Sequence, residues 1–371
     1  MPFQDWSILS ENEIIAVFSF TFILSLALVF FTIPLTINFC YKYQILDHPN
    51  SIRKNHKQSI PHLGGFNIFL GLFIPFTCIA PTFSLGTFKY IFLSMFFLLV
   101  IGLWDDIRAL NPWLKLLWQL FVALIIVFFS ETYITNLFGL FGLDDLSTGT
   151  SYVFSVFLIL TIINGINLLD GINALSASLS TMLGCFFFFW FVVIDQHGLA
   201  LFACALCGTS IAFLWYNWSP AQIFMGDSGA MILGFSISYL TLSFLQTDHD
   251  LINSESKFAI FHAPNIVIAA LILPFVDTTR VFLLRILKGK SPLIADRNHI
   301  HHKFIDAGFS DVQTTFILLS CQFALILIAI GTVRLPYLTS LILLSTCLLI
   351  LYIGLGFVIK PEKKSSVSSP E

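Results

Sequence analysis

Long unbroken apolar runs govern what this 371-residue chain can fold into. Read between charged or Pro/Gly-rich interruptions, they fall near residues 14–39, 64–82, 89–104, 113–130, 151–169, 172–194, 199–216, 228–246, 262–283, 312–330 and 336–358. A helix needs about 20 apolar residues to cross hydrocarbon. With 57% hydrophobic and 11% charged side chains, the chain carries more apolar surface than a soluble core of this size could bury. The fold expected is all-α, a polytopic integral membrane protein with eleven transmembrane helices. A membrane barrel would instead need alternating segments of about ten residues, and stretches such as Phe186 to Val193 are continuously apolar.

An odd number of spans puts the two ends on opposite sides, and the Lys/Arg excess marks the cytosolic one. With the N-terminus outside and the C-terminus cytosolic, fifteen Lys and Arg fall on inner segments and three (Lys89, Lys257, Arg334) on outer ones. The first run lacks the basic flank of a cleavable signal and is long enough to span, so it is expected to be retained. Residues 1–359 read as a single transmembrane catalytic domain, and the Ser-rich tail 360–371 as disordered and cytosolic. Seven cysteines lie mostly inside apolar runs, with no spacing that suggests disulfides.

Short polar strings interrupt the runs at their cytosolic ends. Charge near hydrocarbon costs about 2.5–3.5 kcal/mol per group at a bilayer centre, so it persists mainly where it has partners or work. The first cytosolic loop carries Arg53 and Lys54, suited to an anion or to lipid headgroups, before Pro61-His62-Leu63-Gly64-Gly65. Asp105 and Asp106 are adjacent carboxylates, which favours a metal, a cation or a retained proton beside them; a helix cap is the plainer alternative. Lys115 lies close enough in sequence to face that pair or a phosphate. Asn164, Asn167, Asp170 and Asn173 recur every three residues, an oxygen-rich stripe if helical, suited to a hard cation such as Mg²⁺ or else to interhelical hydrogen bonds.

Asp227, between Gly226 and Gly229, opens the eighth run, where the helix dipole favours an anion and free N–H groups could meet a phosphate; a plain N-cap also explains it. The last segment holds Arg297, His299, His301 and His302. Zinc is disfavoured there because no cysteine is near and a fourth ligand is undefined; a clamp on a sugar-linked pyrophosphate suits the neighbouring Lys and Arg better. Pro274 should kink the ninth run and open a lipid-facing groove.

Together, G-x-x-D-D with Lys115, N-x-x-D-G from Asn167, F-M-G-D from Phe224, and K-G-x-S-P with D-R-x-H-I-H-H from Lys288 to His302 resemble the polyprenyl-phosphate N-acetylhexosamine-1-phosphate transferases, above all the bacterial undecaprenyl-phosphate GlcNAc-1-phosphate members. The resemblance implies transfer of a sugar 1-phosphate from a UDP-sugar to undecaprenyl phosphate, releasing UMP and starting a lipid-linked cell-surface glycan. It implies Mg²⁺ as cofactor, with Mn²⁺ as a substitute, held by Asp227 and Asn167. Lys115 would contact phosphate, Phe224 would stack on uracil, and Asn173 would meet the uracil edge. Arg297 with His299, His301 and His302 would read the sugar and diphosphate, Asp105 and Asp106 would position or deprotonate the lipid phosphate, and Asp170 would be a further catalytic residue.

The chain departs from most bacterial members in carrying Asn173 and Ala174 for Asp and Gly, and Ala230 for Ser; the first loop is one residue longer between Asn50 and Arg53. The partners implied are a UDP-sugar, a polyprenyl phosphate and membrane lipid, with no nucleic acid and a homodimer as one oligomeric option. Localisation is expected at the bacterial inner membrane, with the site facing the cytosol. A transporter of a nucleotide-sugar or anionic lipid is the alternative, although transporter sites lie nearer the bilayer midplane. A glycosyltransferase using lipid-linked donors would place its acids in an outer loop, where Asp144-Asp145 and Asp248 to Glu255 are the candidates.

Overall fold

The computed structural model describes residues 6, 9–47, 59–79, 86–260, 262–287, 289 and 299–358. Every apolar run becomes a helix, except that 262–283 becomes two. In chain order the helices are α1 (Glu11–Tyr43), α2 (Gly64–Ile79), α3 (Phe88–Ile107), α4 (Pro112–Phe129), α5 (Thr148–Leu169), α6 (Leu175–Val193), α7 (His197–Asn217), α8 (Gly226–Asn253), α9 (Ala263–Ala270), α10 (Ile272–Leu287), α11 (Ile300–Asp306), α12 (Asp311–Gly331) and α13 (Tyr337–Val358). Among the described residues, eight are individually long and apolar enough to cross a membrane, and nine if the bent α9–α10 pair counts as one span. The chain is thus a helical multi-pass membrane protein; α2 and the Tyr337–Leu351 stretch of α13 are apolar but shorter.

Local chemistry sets the boundaries. Ser10 and Glu13 form a reciprocal capping box that starts α1, and Gln44 ends it in the left-handed conformation. Asn111 caps α4 through the Trp113 N–H, followed by Pro112 at a position that needs no donor. Among the described residues, β structure is confined to a two-residue antiparallel pair, β1 (Leu46–Asp47) with β2 (Ile60–Pro61), and an isolated antiparallel bridge between Asn136 and Asp145.

The bundle is organised around α8, whose most apolar window is entirely buried. It packs on α2, α3, α5, α6, α7 and α9. At its first turn the approach is very close: a methyl group at Gly102 of α3 or Gly65 of α2 would run into Ser228. Lipid faces the outer ring, where Phe31, Phe157 and Phe316 are mostly exposed. Trp104, Trp113, Trp215 and Trp218 are also exposed, all near the helix ends that surround the start of α8. Tryptophan concentrates at membrane–water boundaries, which marks these ends as interfacial.

The kink expected at Pro274 occurs at Leu271, where α9 and α10 meet at 65°. Proline supplies no N–H to the carbonyl four residues back, here that of Ala270. The side chain of Gln322 on α12, which is 1% exposed, takes over. Its Nε2 donates to the carbonyls of Ala269 (2.6 Å) and Ala270 (2.5 Å), and its Oε1 accepts from the Leu273 N–H at 3.2 Å. The break is therefore a fixed feature with its backbone groups satisfied.

Candidate active site

A cavity of about 540 Å³ opens at the start of α8. Its wall includes Asp47, Asp105, Asp106, Asp170, Asp227 and Asp311, together with Asn167, Asn173, Asn217, Phe224 and His302. These come from strings up to 264 positions apart (Asp47 to Asp311).

The adjacent carboxylates do not act as a pair. Asp105 accepts from the Leu110 N–H at 2.6 Å and from Lys115 Nζ at 2.9 Å. Asp106 turns the other way, accepting from the N–H of Asp227 (2.6 Å), the N–H of Ser228 (3.3 Å) and the Ser228 hydroxyl (2.6 Å). It thus caps α8 from a neighbouring helix, and the N–H groups expected to be free for a substrate phosphate are taken. His62, from the β2 end, bonds the Asp106 carbonyl at 2.6 Å. Gly226 fits beneath this cap with φ +70°; a side chain there would meet the Asp106 carboxylate and the His62 carbonyl.

Lys115 bridges Asp105 and Asp227, and Asn167 Nδ2 donates to Asp227 Oδ1 at 2.7 Å. Asn164, at the same spacing, instead donates to Gln119 Oε1 and to the Leu160 carbonyl, each at 2.7 Å, and serves packing. The stripe also does not continue as a helix: α5 ends at Leu169, Asp170 is its C-cap, and Asn173 lies in the following turn. Burial, reinforced by the charges of Asp227 and Asp106, raises the Asp170 carboxyl well above the ordinary range.

That turn ends at Ala174, whose φ of +69° is a left-handed conformation that suits glycine better. Asn217 holds it in place, accepting from the Ala174 N–H at 2.8 Å and donating to the Ile223 carbonyl at 2.9 Å. Phe224 follows directly; its N–H donates to Pro61 at 2.8 Å and its carbonyl accepts from Gly64 at 3.1 Å. The aromatic wall is therefore pinned from two sides.

The histidine string forms α11 and its approach. His302 lines the cavity. His301 is fully buried against Gly171, and burial pushes its imidazole down to about 3. His299 lies behind them, bonded through Nδ1 to Asp277 at 2.8 Å. Arg53, Lys54 and Arg297 lie outside the described residues, as does the tail 360–371.

Among the described residues, no three acidic, histidine or cysteine side chains converge in the manner of a preformed metal cage. A fully protein-built cage is not what Mg²⁺ needs, since it commonly takes one or two carboxylates and completes its shell with water and substrate phosphate. The donor set fits such an ion: it is oxygen-rich, with six aspartates on the wall. Lys115 offsets two of them.

Residues 88–245 match the family model described as glycosyl transferase family 4. A probable undecaprenyl-phosphate N-acetylglucosaminyl 1-phosphate transferase of Bacillus subtilis (strain 168) is 31% identical over 306 residues, covering 80% of both chains. The chain belongs to this family. Undecaprenyl-phosphate alpha-N-acetylglucosaminyl 1-phosphate transferases of Yersinia pestis and Escherichia coli (strain K12) are each 27% identical to it. The first match covers 92% of this chain and 90% of the relative; the second covers 77% and 75%. The family match takes in the Asp105, Asn167 and Asp227 strings, while α10 and α11 lie beyond it.

His62, Ser228, Asn217, Asp311 and Asp277 join the expected residues in or behind the site. Asp277 had a sequence signal, a lone carboxylate inside an apolar run. Asn217 and Ser228 had none, because small polar residues near helix ends are common.

Proposed function

We propose that the protein transfers the sugar 1-phosphate of a UDP-N-acetylhexosamine, GlcNAc or a close relative, to undecaprenyl phosphate, releasing UMP and leaving a lipid-linked diphosphosugar. The observation that carries this reading is the convergence of the Asp105, Asn167, Phe224 and His299 strings on one acid-rich cavity beside exposed tryptophans.

Both reactants are anions, and two dianions about 5 Å apart repel by roughly 3 kcal/mol even at the dielectric of water. Asp227, Asn167 and Asp170 would hold Mg²⁺, or Mn²⁺ in its place. When bound, such an ion would screen the phosphates and stabilise charge on the departing UMP. Lys115, released from one of its carboxylates, would move to a phosphate oxygen. Phe224 stacks on uracil and Asn173 meets the base edge. His302, with Arg297, contacts the sugar diphosphate, and Arg53 and Lys54 receive the lipid phosphate. Asp105 orients Lys115, and Asp106 holds the start of α8.

Attack falls on the sugar-side phosphorus by the lipid phosphate oxygen. The P–O bond to UMP breaks, the sugar C–O bond is untouched, and anomeric configuration is retained. Direct attack is favoured because the nucleophile is already anionic. The catalytic unit spans residues 1–359 in eleven passes, with the N-terminus outside and the cavity cytosolic, a sidedness supported by the distribution of Lys and Arg. Purified protein with undecaprenyl phosphate, Mg²⁺ and a panel of UDP-sugars should release UMP with an N-acetylhexosamine donor. Flux of intact nucleotide-sugar across vesicles without UMP release would overturn the reading.

A further inference from the structure

Asp277 is 2% exposed, on α10 just past the break, and two of its interactions reach the histidine string. Its Oδ2 meets His299 Nδ1 at 2.8 Å, and its Oδ1 accepts from the Ile300 N–H at 2.8 Å and from Arg280 at 3.2 Å. A carboxylate acceptor requires Nδ1 of His299 to carry the proton. The ring of His299 lies parallel to that of His301, with centroids 5.7 Å apart and planes 4° from coplanar. His301 in turn fills the space left by Gly171, and its ring lies 4.3 Å from that of His302 on the cavity wall.

We infer that Asp277 is a positioning residue for the sugar-phosphate transfer: by fixing the tautomer and angle of His299 and the first turn of α11, it seats His301 against Gly171 and, through it, His302 on the cavity wall. This rests on the proposed function above. The plainer role for Asp277 is as a cap for α11 and a partner for Arg280. The two roles separate in Asp277→Asn. Asparagine caps a helix as well as aspartate does, so the Ile300 bond survives through Oδ1. Its Nδ2, however, is a donor and faces the donor Nδ1–H of His299. The imidazole must then switch tautomer or turn away, which moves the stacked rings.

The test compares wild type, Asp277→Asn, Asp277→Glu, His299→Ala and the Asp277→Asn/His299→Ala double variant for UMP release and thermal unfolding. Positioning predicts a fall in kcat/KM of about 30-fold or more in Asp277→Asn with little change in unfolding temperature, partial recovery in Asp277→Glu, and a double variant no worse than His299→Ala alone. Activity within about threefold of wild type in Asp277→Asn, or single effects that multiply in the double variant, would overturn it. If Asp277→Asn does not fold, ¹⁵N-histidine spectra of the intact protein decide: His299, assigned by its loss in His299→Ala, must carry its proton on Nδ1, and an Nε2–H form refutes the inference. Absence of UMP release by wild type with every UDP-sugar would count against the proposed function instead, while the tautomer would still be read.

Discussion

Replacing Lys115 by Met removes a cation that bridges Asp105 and Asp227 and nearly preserves side-chain length. At the 2.9 Å separation from Asp105, an effective dielectric of 20 gives an attraction of about 6 kcal/mol before desolvation is counted. Breaking such a pair by deleting one partner costs about 3–5 kcal/mol when both are deeply buried. Lys115 and Asp105 are 17% and 10% exposed, and Asp227 is 34% exposed, so the lower end applies. The same ammonium facing a substrate phosphate at about 4 Å would contribute roughly 4 kcal/mol. Allowing about 3 kcal/mol for the transition state, Lys115→Met should lower kcat/KM by at least about 100-fold. Lys115→Arg keeps the charge but not the compact geometry and should fall between. The assay is UMP release in detergent, with size-exclusion profile and unfolding temperature as controls for folding. A folded Lys115→Met retaining more than about a tenth of wild-type turnover would refute the electrostatic role of this lysine.

Phe224→Ala removes the aromatic wall of the cavity and, with base stacking worth about 1–3 kcal/mol, should raise the KM for the UDP-sugar by about 5- to 150-fold with a smaller change in kcat; an unchanged KM would remove Phe224 from the uracil site. Asp170 is raised by burial and by Asp227 and Asp106, so the native state holds a proton that the unfolded chain has already lost. Its stabilising contribution is full below the unfolded value of about 3.9 and declines as pH rises through the folded value. Thermal unfolding in EDTA should therefore show stability falling with rising pH across that window, Asp170→Asn should flatten the dependence, and an equal slope in the variant would refute the assignment. Added Mg²⁺ should stabilise wild type more than Asp170→Asn, as binding to the native state alone requires.

Membrane helices were readable because hydrocarbon tolerates few alternatives: a run such as 199–216 has no other way to pair its backbone, and it forms within α7. Pro274 announced a break, and the missing donor placed it at Leu271. What spacing could not tell was which partner each polar side chain would meet. Asn164 and Asn167 have the same chemistry and lie one turn apart, yet one faces Gln119 and the other Asp227. Asp106 looked like half of an acidic pair and is a cap for a helix that starts 120 residues later, at Gly226. Asp277 stands out as a carboxylate inside an apolar run, but its partner did not, because His299 is 22 positions away across the α10–α11 connection. Such pairings belong to tertiary structure, where one helix turn of register decides which groups meet.

The bond that breaks is the point on which the proposed chemistry stands. Incubating the purified protein with Mg²⁺, undecaprenyl phosphate and UDP-GlcNAc labelled with ³²P at the β-phosphate measures it directly. The label should pass into the organic-phase lipid diphosphosugar while unlabelled UMP is released in equal amount. Label remaining with the uridine nucleotide as UDP while the sugar alone reaches the lipid would contradict sugar-phosphate transfer.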